Sequence, residues 1–158
     1  MDQQTPKNVL TGLAKCIVAG NLLNKDQVVD ALRKSQQLNI SFVTYLTENK
    51  LIDAKQLAIT ASKNFGVPLL NLAEYNFDFI PSGIVREDIL KKHKVLPLYK
   101  QGSKLFVAIT DPTDRIAIDE IKFSTGLNVN AVLVQTDLLN KFIEKIMNRV
   151  NRETKSFL

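Results

Sequence analysis

The chain has 158 residues, 45% of them hydrophobic and 23% charged, and a formal net charge of +5. This balance predicts one ordinary domain or two small ones with a packed core, and it excludes general disorder. Since no apolar run could span a bilayer, no secretory signal opens the chain, and the single cysteine, Cys16, has no disulfide partner, a protein of the cytoplasm is predicted.

Two segments of the first half repeat each other 29 residues apart. Residues 22–28 (LLNKDQV) correspond to residues 51–57 (LIDAKQL), and a shared period of this length is typical of a duplicated helical hairpin. Each copy has a capping side chain, Asn24 or Asp53, three residues before a glutamine, which is the pattern of a capping box. Asn21 predicts a left-handed end of the preceding helix. Neither copy can hide its apolar stripe alone, so the two must pack together.

The pattern changes after residue 66. Residues 71–78 form a polar connection with several aromatic residues, and Ile80-Pro81-Ser82 resembles the start of another helix. Residues 95–99 and 104–109 are short β-type runs joined by Gln101-Gly102-Ser103, which predicts a hairpin.

The next helix is predicted to open with Asp111 as N-cap and Pro112 at the first helical position, and to stop at Gly126. A strand at 129–134 and a last helix capped by Thr136 then complete the order α-β-β-α-β-α.

The predicted fold class is therefore α+β: an N-terminal all-helical bundle of two repeated helical hairpins, then a small α/β sandwich subdomain with a three-stranded sheet. The predicted boundaries are residues 8–66 for the helical subdomain, 67–79 for a linker, 80–148 for the α-β-β-α-β-α subdomain, and 149–158 for a tail or linker.

Two stretches of the second half resemble one family. Residues 104–112 (KLFVAITDP) and 118–126 (IDEIKFSTG) look like the N-terminal domain of the type IV pilus assembly ATPases (PilB-type), related to the MshEN-like N-terminal domains of type II secretion ATPases. The VLPLY run at 95–99, the FGVP junction at 65–68 and the helical repeat also fit. The resemblance covers roughly residues 8–148.

The resemblance implies a regulatory role rather than catalysis. In that family ATP and Mg are bound by a later motor domain with a phosphate-binding loop, and this chain has no G-x-x-x-x-G-K-[ST]. The implied partners are a PilZ-type adaptor protein, the inner-membrane platform of the pilus machine and the protein's own motor domain, at the cytoplasmic face of the inner membrane. The expected domain is not an enzyme and does not span the membrane.

Relatives of this domain bind cyclic di-GMP through a doubled motif, R-L-G-x-x-L-V-x-x-G-L-I-x-x-x-x-L-x-x-A-L-x-x-Q, in which arginine contacts the ligand and glycine admits it. This chain keeps the apolar frame and departs at the ligand-reading positions. We therefore expect that the chain does not bind the nucleotide directly, and a cyclic di-GMP sensor is the alternative function. The departures are Gly12, Ala14 and Asn21 in the first copy and Ser41, Val43 and Lys50 in the second.

Val43 and Tyr45 flank the expected buried stripe of their short helix, formed by Phe42 and Leu46. They are our candidate partner-binding residues, as an apolar surplus on a helix flank can be a docking surface. The alternative is that both pack against neighbouring helices.

The remaining chemical groups favour simple explanations. His93 is the only histidine, and no cluster of other metal ligands accompanies it in the sequence. Asp119 and Glu120 are adjacent on a helix and point about 100° apart, so a solvated face is expected. Residues 91–94 (KKHK) suit a helix C-terminus, so nucleic acid is not an expected partner, and a free-standing enzyme or nucleic-acid binder has only net charge in its favour.

Overall fold

Four helices form the first half of the protein among the residues that the structure describes. The computed structural model describes residues 10 and 12–156, with side chains through residue 149; the predictions for residues 8, 9 and 11 lie outside this range. The helices are α1 (Gly12–Ala19), α2 (Lys25–Leu38), α3 (Phe42–Glu48) and α4 (Ala54–Phe65).

The sequence repeat is a repeat of backbone geometry. The Leu22 N–H donates to the Ile17 carbonyl at 3.1 Å, and 29 residues later the Leu51 N–H donates to the Leu46 carbonyl at 2.9 Å. The residue before each of these donors, Asn21 or Lys50, is left-handed with φ of 58° or 56°. This pattern is a Schellman turn, so both hairpins use the same turn.

The helix starts of the repeat are capped as predicted, but unequally. Asn24 accepts from the Gln27 N–H at 2.8 Å and donates its own N–H to the Gln27 side chain at 3.0 Å, which completes a capping box. Asp53 accepts from the Gln56 N–H at 3.1 Å. The Asp53 N–H does not donate to the Gln56 side chain in return, so this cap is not a complete capping box.

The second half contains three helices and a three-stranded sheet among the described residues. Strands β1 and β2 form the predicted antiparallel hairpin, and β2 pairs with β3 in parallel, in the order β1-β2-β3. The element order confirms the α+β prediction. The elements are α5 (Glu87–His93), β1 (Leu96–Gln101), β2 (Lys104–Ile109), α6 (Arg115–Thr125), β3 (Asn128–Leu133) and α7 (Thr136–Ser156).

The segment predicted as a linker takes part in the sheet. The Leu70 N–H donates to the Leu133 carbonyl at 2.8 Å, and the Leu133 N–H donates to the Pro68 carbonyl at 2.7 Å. Two short 3₁₀ turns follow, Leu72–Glu74 and Phe77–Phe79. Tyr75 lies between the two turns, and its hydroxyl donates to the Leu98 carbonyl of β1. The connection is therefore bonded to both edge strands of the sheet, β3 and β1.

Two predicted helix starts are wrong. α5 begins at Glu87, not at Ile80-Pro81-Ser82, because residues 80–86 form a bent loop. α6 begins at Arg115 with Asp114 as N-cap; Asp111 instead accepts from the Thr113 N–H and hydroxyl at 2.9 and 2.6 Å, which holds a separate turn.

The last helix also differs from its prediction at both ends. Thr136 is the first residue of α7 and its buried hydroxyl has no hydrogen-bond partner among the described residues, so it is not the cap. The helix continues to Ser156, so residues 149–156 are not the predicted loose tail.

One hydrophobic core joins the two halves. α7 packs against α3 and α4 of the helical half, and also against α5 and the first 3₁₀ turn. Leu139, Ile143 and Ile146 of α7 belong to the same buried cluster as Leu46 and Leu57 of the repeat. The buried residues of the repeat therefore form one part of a core that the whole domain shares.

Candidate functional site

In the second copy of the motif, the two ligand-reading positions are used for structure. Ser41 is the N-cap of α3, where its hydroxyl accepts from the Thr44 N–H at 3.0 Å and donates to the Thr44 hydroxyl at 2.8 Å. Val43, at a position where the motif has glycine, is 4% exposed. Its branched side chain fills the space that glycine would leave open.

In the first copy, position 12 lies against the second half of the protein and position 14 is buried. Gly12 is left-handed with φ of 61°, and a Cβ built on it would lie 3.0 Å from the Thr113 hydroxyl. A longer side chain there, including the arginine of the motif, would collide with the turn that Asp111 holds. Ala14, at a glycine position of the motif, is 5% exposed.

The third pair of motif positions keeps its backbone conformation without glycine. Asn21 and Lys50 are left-handed, and both are exposed. Asparagine adopts this conformation with little strain, whereas lysine does so at a cost. These departures thus preserve the turn geometry.

A cavity of about 230 Å³ lies beside Val43, where the second hairpin meets the sheet half. The His93 side chain is 10% exposed, and its Nε2 lies 3.1 Å from Glu120 Oε2 without the alignment of a hydrogen bond. Glu120 thus faces the histidine and is not simply solvated. The polar lining of this cavity is Ser41, His93, Thr110, Asp111 and Asp114.

The structure contradicts the candidate docking surface at Val43 and Tyr45. Val43 is 4% exposed and Tyr45 is 9% exposed, because α3 packs against both α2 and α7. The alternative interpretation, packing against neighbouring elements, is the correct one for both residues.

A larger groove of about 770 Å³ lies on the surface between the helical half and helices α5 and α7. We call it the inter-half groove. Ile40 is 37% exposed beside it, and Asn140 Oδ1 is buried there without a hydrogen-bond partner among the described residues. In the sequence, the only sign of this groove is the lysine cluster at residues 91–94. Its lining is Asn39, Ile40, Ser41, Thr44, Glu48, Asp88, Lys91, Lys92, Lys94, Asn140, Ile143 and Glu144.

In the helical half, Cys16 and the ion pair of Asp30 with Lys34 have shifted pKa values. Burial raises the pKa of the Cys16 thiol, which keeps it protonated and poorly reactive. On the exposed face of α2, the hydrogen bond from Lys34 lowers the pKa of Asp30, with a further contribution from Arg33. Neither group belongs to the cavity or the groove.

Residues 10 and 12–156 contain neither a cluster of metal ligands nor a membrane-spanning helix. No group of three or more His, Cys, Asp or Glu side chains there converges as metal ligands would. None of the helices in that range is both long and apolar enough to cross a membrane.

A protein-family model matches the sheet half of the chain and identifies its family. The model of the MshEN domain family matches residues 65–152, more than half of the chain. The chain belongs to the MshEN domain family. The match begins at the end of α4, so the helical repeat lies before it.

Sequence relatives of this MshEN domain extend the similarity over the repeat. The type IV pilus assembly ATPase PilB of Pseudomonas aeruginosa is 36% identical over 137 residues, which are 87% of this chain and 24% of that protein. PilB of Myxococcus xanthus is 29% identical over 84% of this chain. The chain thus spans about a quarter of the length of these curated relatives, and with no phosphate-loop sequence it does not contain their ATPase motor.

Solved structures show the same fold at lower identity. The N-terminal domain of XpsE has a TM-score of 0.67 at 20% identity, covering 86% of this chain and 96% of that one. The structure of MshE with cdg (cyclic di-GMP) has a TM-score of 0.61 at 16% identity, covering 87% of this chain and 99% of that one. The chain is an MshEN domain of the kind found in PilB-type ATPases.

Proposed function

We propose that this MshEN domain is a non-catalytic protein-interaction domain of a type IV pilus assembly ATPase. It docks the motor to an adaptor, such as a PilZ-type protein, and to the inner-membrane platform at the cytoplasmic face of the inner membrane. The observation that carries the proposal is the burial of Ala14 and Val43, at 5% and 4% exposure. With side chains closing the ligand-approach positions, the two hairpins serve as a scaffold for protein contacts.

The inter-half groove is the proposed adaptor site. It combines an apolar wall, from Ile40 and Ile143, with cations on α5 and the unpartnered acceptor of Asn140. An apolar centre with a polar rim is the common anatomy of protein interfaces.

Titration of the chain with the PilZ-type adaptor of the same organism tests the proposal. Ile40→Asp places an unpaired charge in the groove and should weaken binding at least about tenfold. Leu51→Asp is the matched control, since Leu51 is also 37% exposed but lies outside the groove. Absence of binding up to high micromolar concentrations rejects this partner, and loss of binding only in the Leu51 variant rejects the groove.

The second candidate is a cyclic di-GMP sensor. It is favoured by the left-handed backbone at Asn21 and Lys50, the cavity beside Val43 and the fold shared with MshE, whose structure contains the nucleotide. Calorimetry with cyclic di-GMP distinguishes the two functions. A dissociation constant below about 10 μM would favour the sensor; an affinity that appears only in the double variant Ser41→Arg, Val43→Gly would support the scaffold.

A further inference from the structure

The only histidine of the chain lies in the contact between two helices of the sheet half. His93 is the last residue of α5, its side chain is 10% exposed, and its Nε2 lies 3.1 Å from Oε2 of Glu120 on α6. This nitrogen is buried and has no hydrogen-bond partner among the described residues. Histidine is the side chain whose charge ordinarily changes between about pH 5 and pH 8, so the strength of this contact depends on the proton.

The groups around His93 have both signs of charge, and Glu120 is the one in direct contact. On its own helix, Lys92 is exposed with its Nζ 3.9 Å from Glu120 Oε1, and Lys94 lines the inter-half groove. Across the cavity beside Val43, α3 contributes the uncharged Ser41. The carboxylates that face the imidazole or line its cavity from other parts of the chain are Glu120, Asp111 and Asp114.

α5 is a short helix with few interactions of its own to hold it. It has seven residues, its N-cap Arg86 makes no side-chain capping bond, and its C-cap Lys94 is a left-handed lysine with φ of 52°. Its last turn stands between two hollows of the surface: Lys91, Lys92 and Lys94 line the inter-half groove, and His93 lines the cavity. The contact that fixes this turn therefore also fixes one wall of the groove.

We propose that protonation of His93 ties α5 to α6 through Glu120 and thereby raises the affinity of the inter-half groove for its adaptor. This regulation rests on the proposed function, because it acts on the same groove. An imidazolium attracts the Glu120 carboxylate and suits the negative end of the α5 dipole, whereas a neutral imidazole carries no charge to attract either. A wall held in place in the free protein lowers the cost of ordering it on binding.

Urea denaturation of the chain at pH 5.5 and pH 8 tests the contact without the adaptor. Glu120→Gln should lower the urea midpoint at least about twofold more at pH 5.5 than at pH 8, because the attraction is lost as the imidazole loses its proton. In the His93→Gln background the same substitution should have equal effects at the two pH values. Asp119→Asn, the neighbouring exposed carboxylate of α6, is the matched control and should show no such difference. Equal losses for Glu120→Gln at both pH values would overturn the proposal.

Calorimetric titration with the PilZ-type adaptor at pH 6.5 and pH 8 tests the regulation. Between these values the affinity of the parent chain should fall at least about threefold more than that of His93→Gln, and this comparison removes the titration of the adaptor itself. Equal changes in the two proteins would overturn the link between His93 and the groove. Absence of adaptor binding at both pH values would reject the proposed function and the regulation with it, while the urea result still decides whether the contact with Glu120 depends on the proton.

Discussion

At the scale of single residues, position 43 separates two uses of the same hairpin. The motif of the nucleotide-binding relatives has glycine there, and a ligand can then approach the backbone. Val43 closes that approach with a side chain that is 4% exposed, and Ala14 does so in the first copy at 5%. The side chains of Ala14 and Val43 therefore make these two positions part of the hydrophobic core, while the backbone turns of the repeat stay the same.

Truncation of Val43 tests its structural role. Val43→Ala should lower the free energy of unfolding by about 2 kcal/mol, because it removes two buried methyl groups and leaves a cavity. Val29→Ala, at a half-buried site of α2, is the matched control and should cost less than half as much. Urea denaturation gives both values. Unchanged stability together with lost adaptor binding would instead restore Val43 as a docking residue.

The left-handed residues of the two turns should respond unequally to glycine. Lys50→Gly should stabilise the protein by about 0.5–1 kcal/mol, since lysine is strained at a φ of 56° whereas glycine is not. Asn21→Gly should change stability less, because asparagine tolerates this conformation. Thermal unfolding of both variants is the measurement, and a larger gain at position 21 would contradict the argument.

At the scale of elements, the features predicted correctly are those that neighbouring residues determine. The caps at Asn24 and Asp53, the hairpin between β1 and β2 and the helix stop at Gly126 depend on interactions within a few residues, which a sequence displays directly. The predicted start of α6 is wrong because Asp111 can cap either a helix or a turn: here it holds the turn, and Asp114 caps the helix.

The two glutamines of the repeat provide a test of capping. Gln27 accepts from the Asn24 N–H at 3.0 Å, and Gln56 makes no equivalent bond with Asp53. Gln27→Ala should therefore destabilise the protein by about 0.5 kcal/mol more than Gln56→Ala. Chemical denaturation of the pair measures the difference. Equal losses would show that the second bond of the capping box contributes nothing.

At the scale of the whole molecule, the core that joins the halves explains what the sequence could not predict. α3, which carries Val43 and Tyr45, packs not only against the neighbouring α2 but also against α7, which begins about 90 residues further along the chain. The exposure of Ile116 and Phe123 has the same origin: Ala117 and Ile121 face the core, so the other apolar residues of α6 are left outside.

A shared core also predicts that the two halves unfold together. Cys16 is buried in the helical half, so its reactivity with a thiol reagent reports unfolding there. The fluorescence of Tyr75 and Tyr99 reports mainly on the sheet half. Both signals should follow one urea transition, as expected for a single cooperative domain of this size. Early exposure of Cys16 would instead indicate that the repeat is a separate folding unit.

The most direct test of the scaffold interpretation is a calorimetric titration of this chain with its PilZ-type adaptor, with and without saturating cyclic di-GMP. Binding with the same affinity is expected in both titrations, because Ala14 and Val43 leave the nucleotide no access to the hairpins. An adaptor affinity that appears, disappears or changes by more than about tenfold with the nucleotide would contradict it.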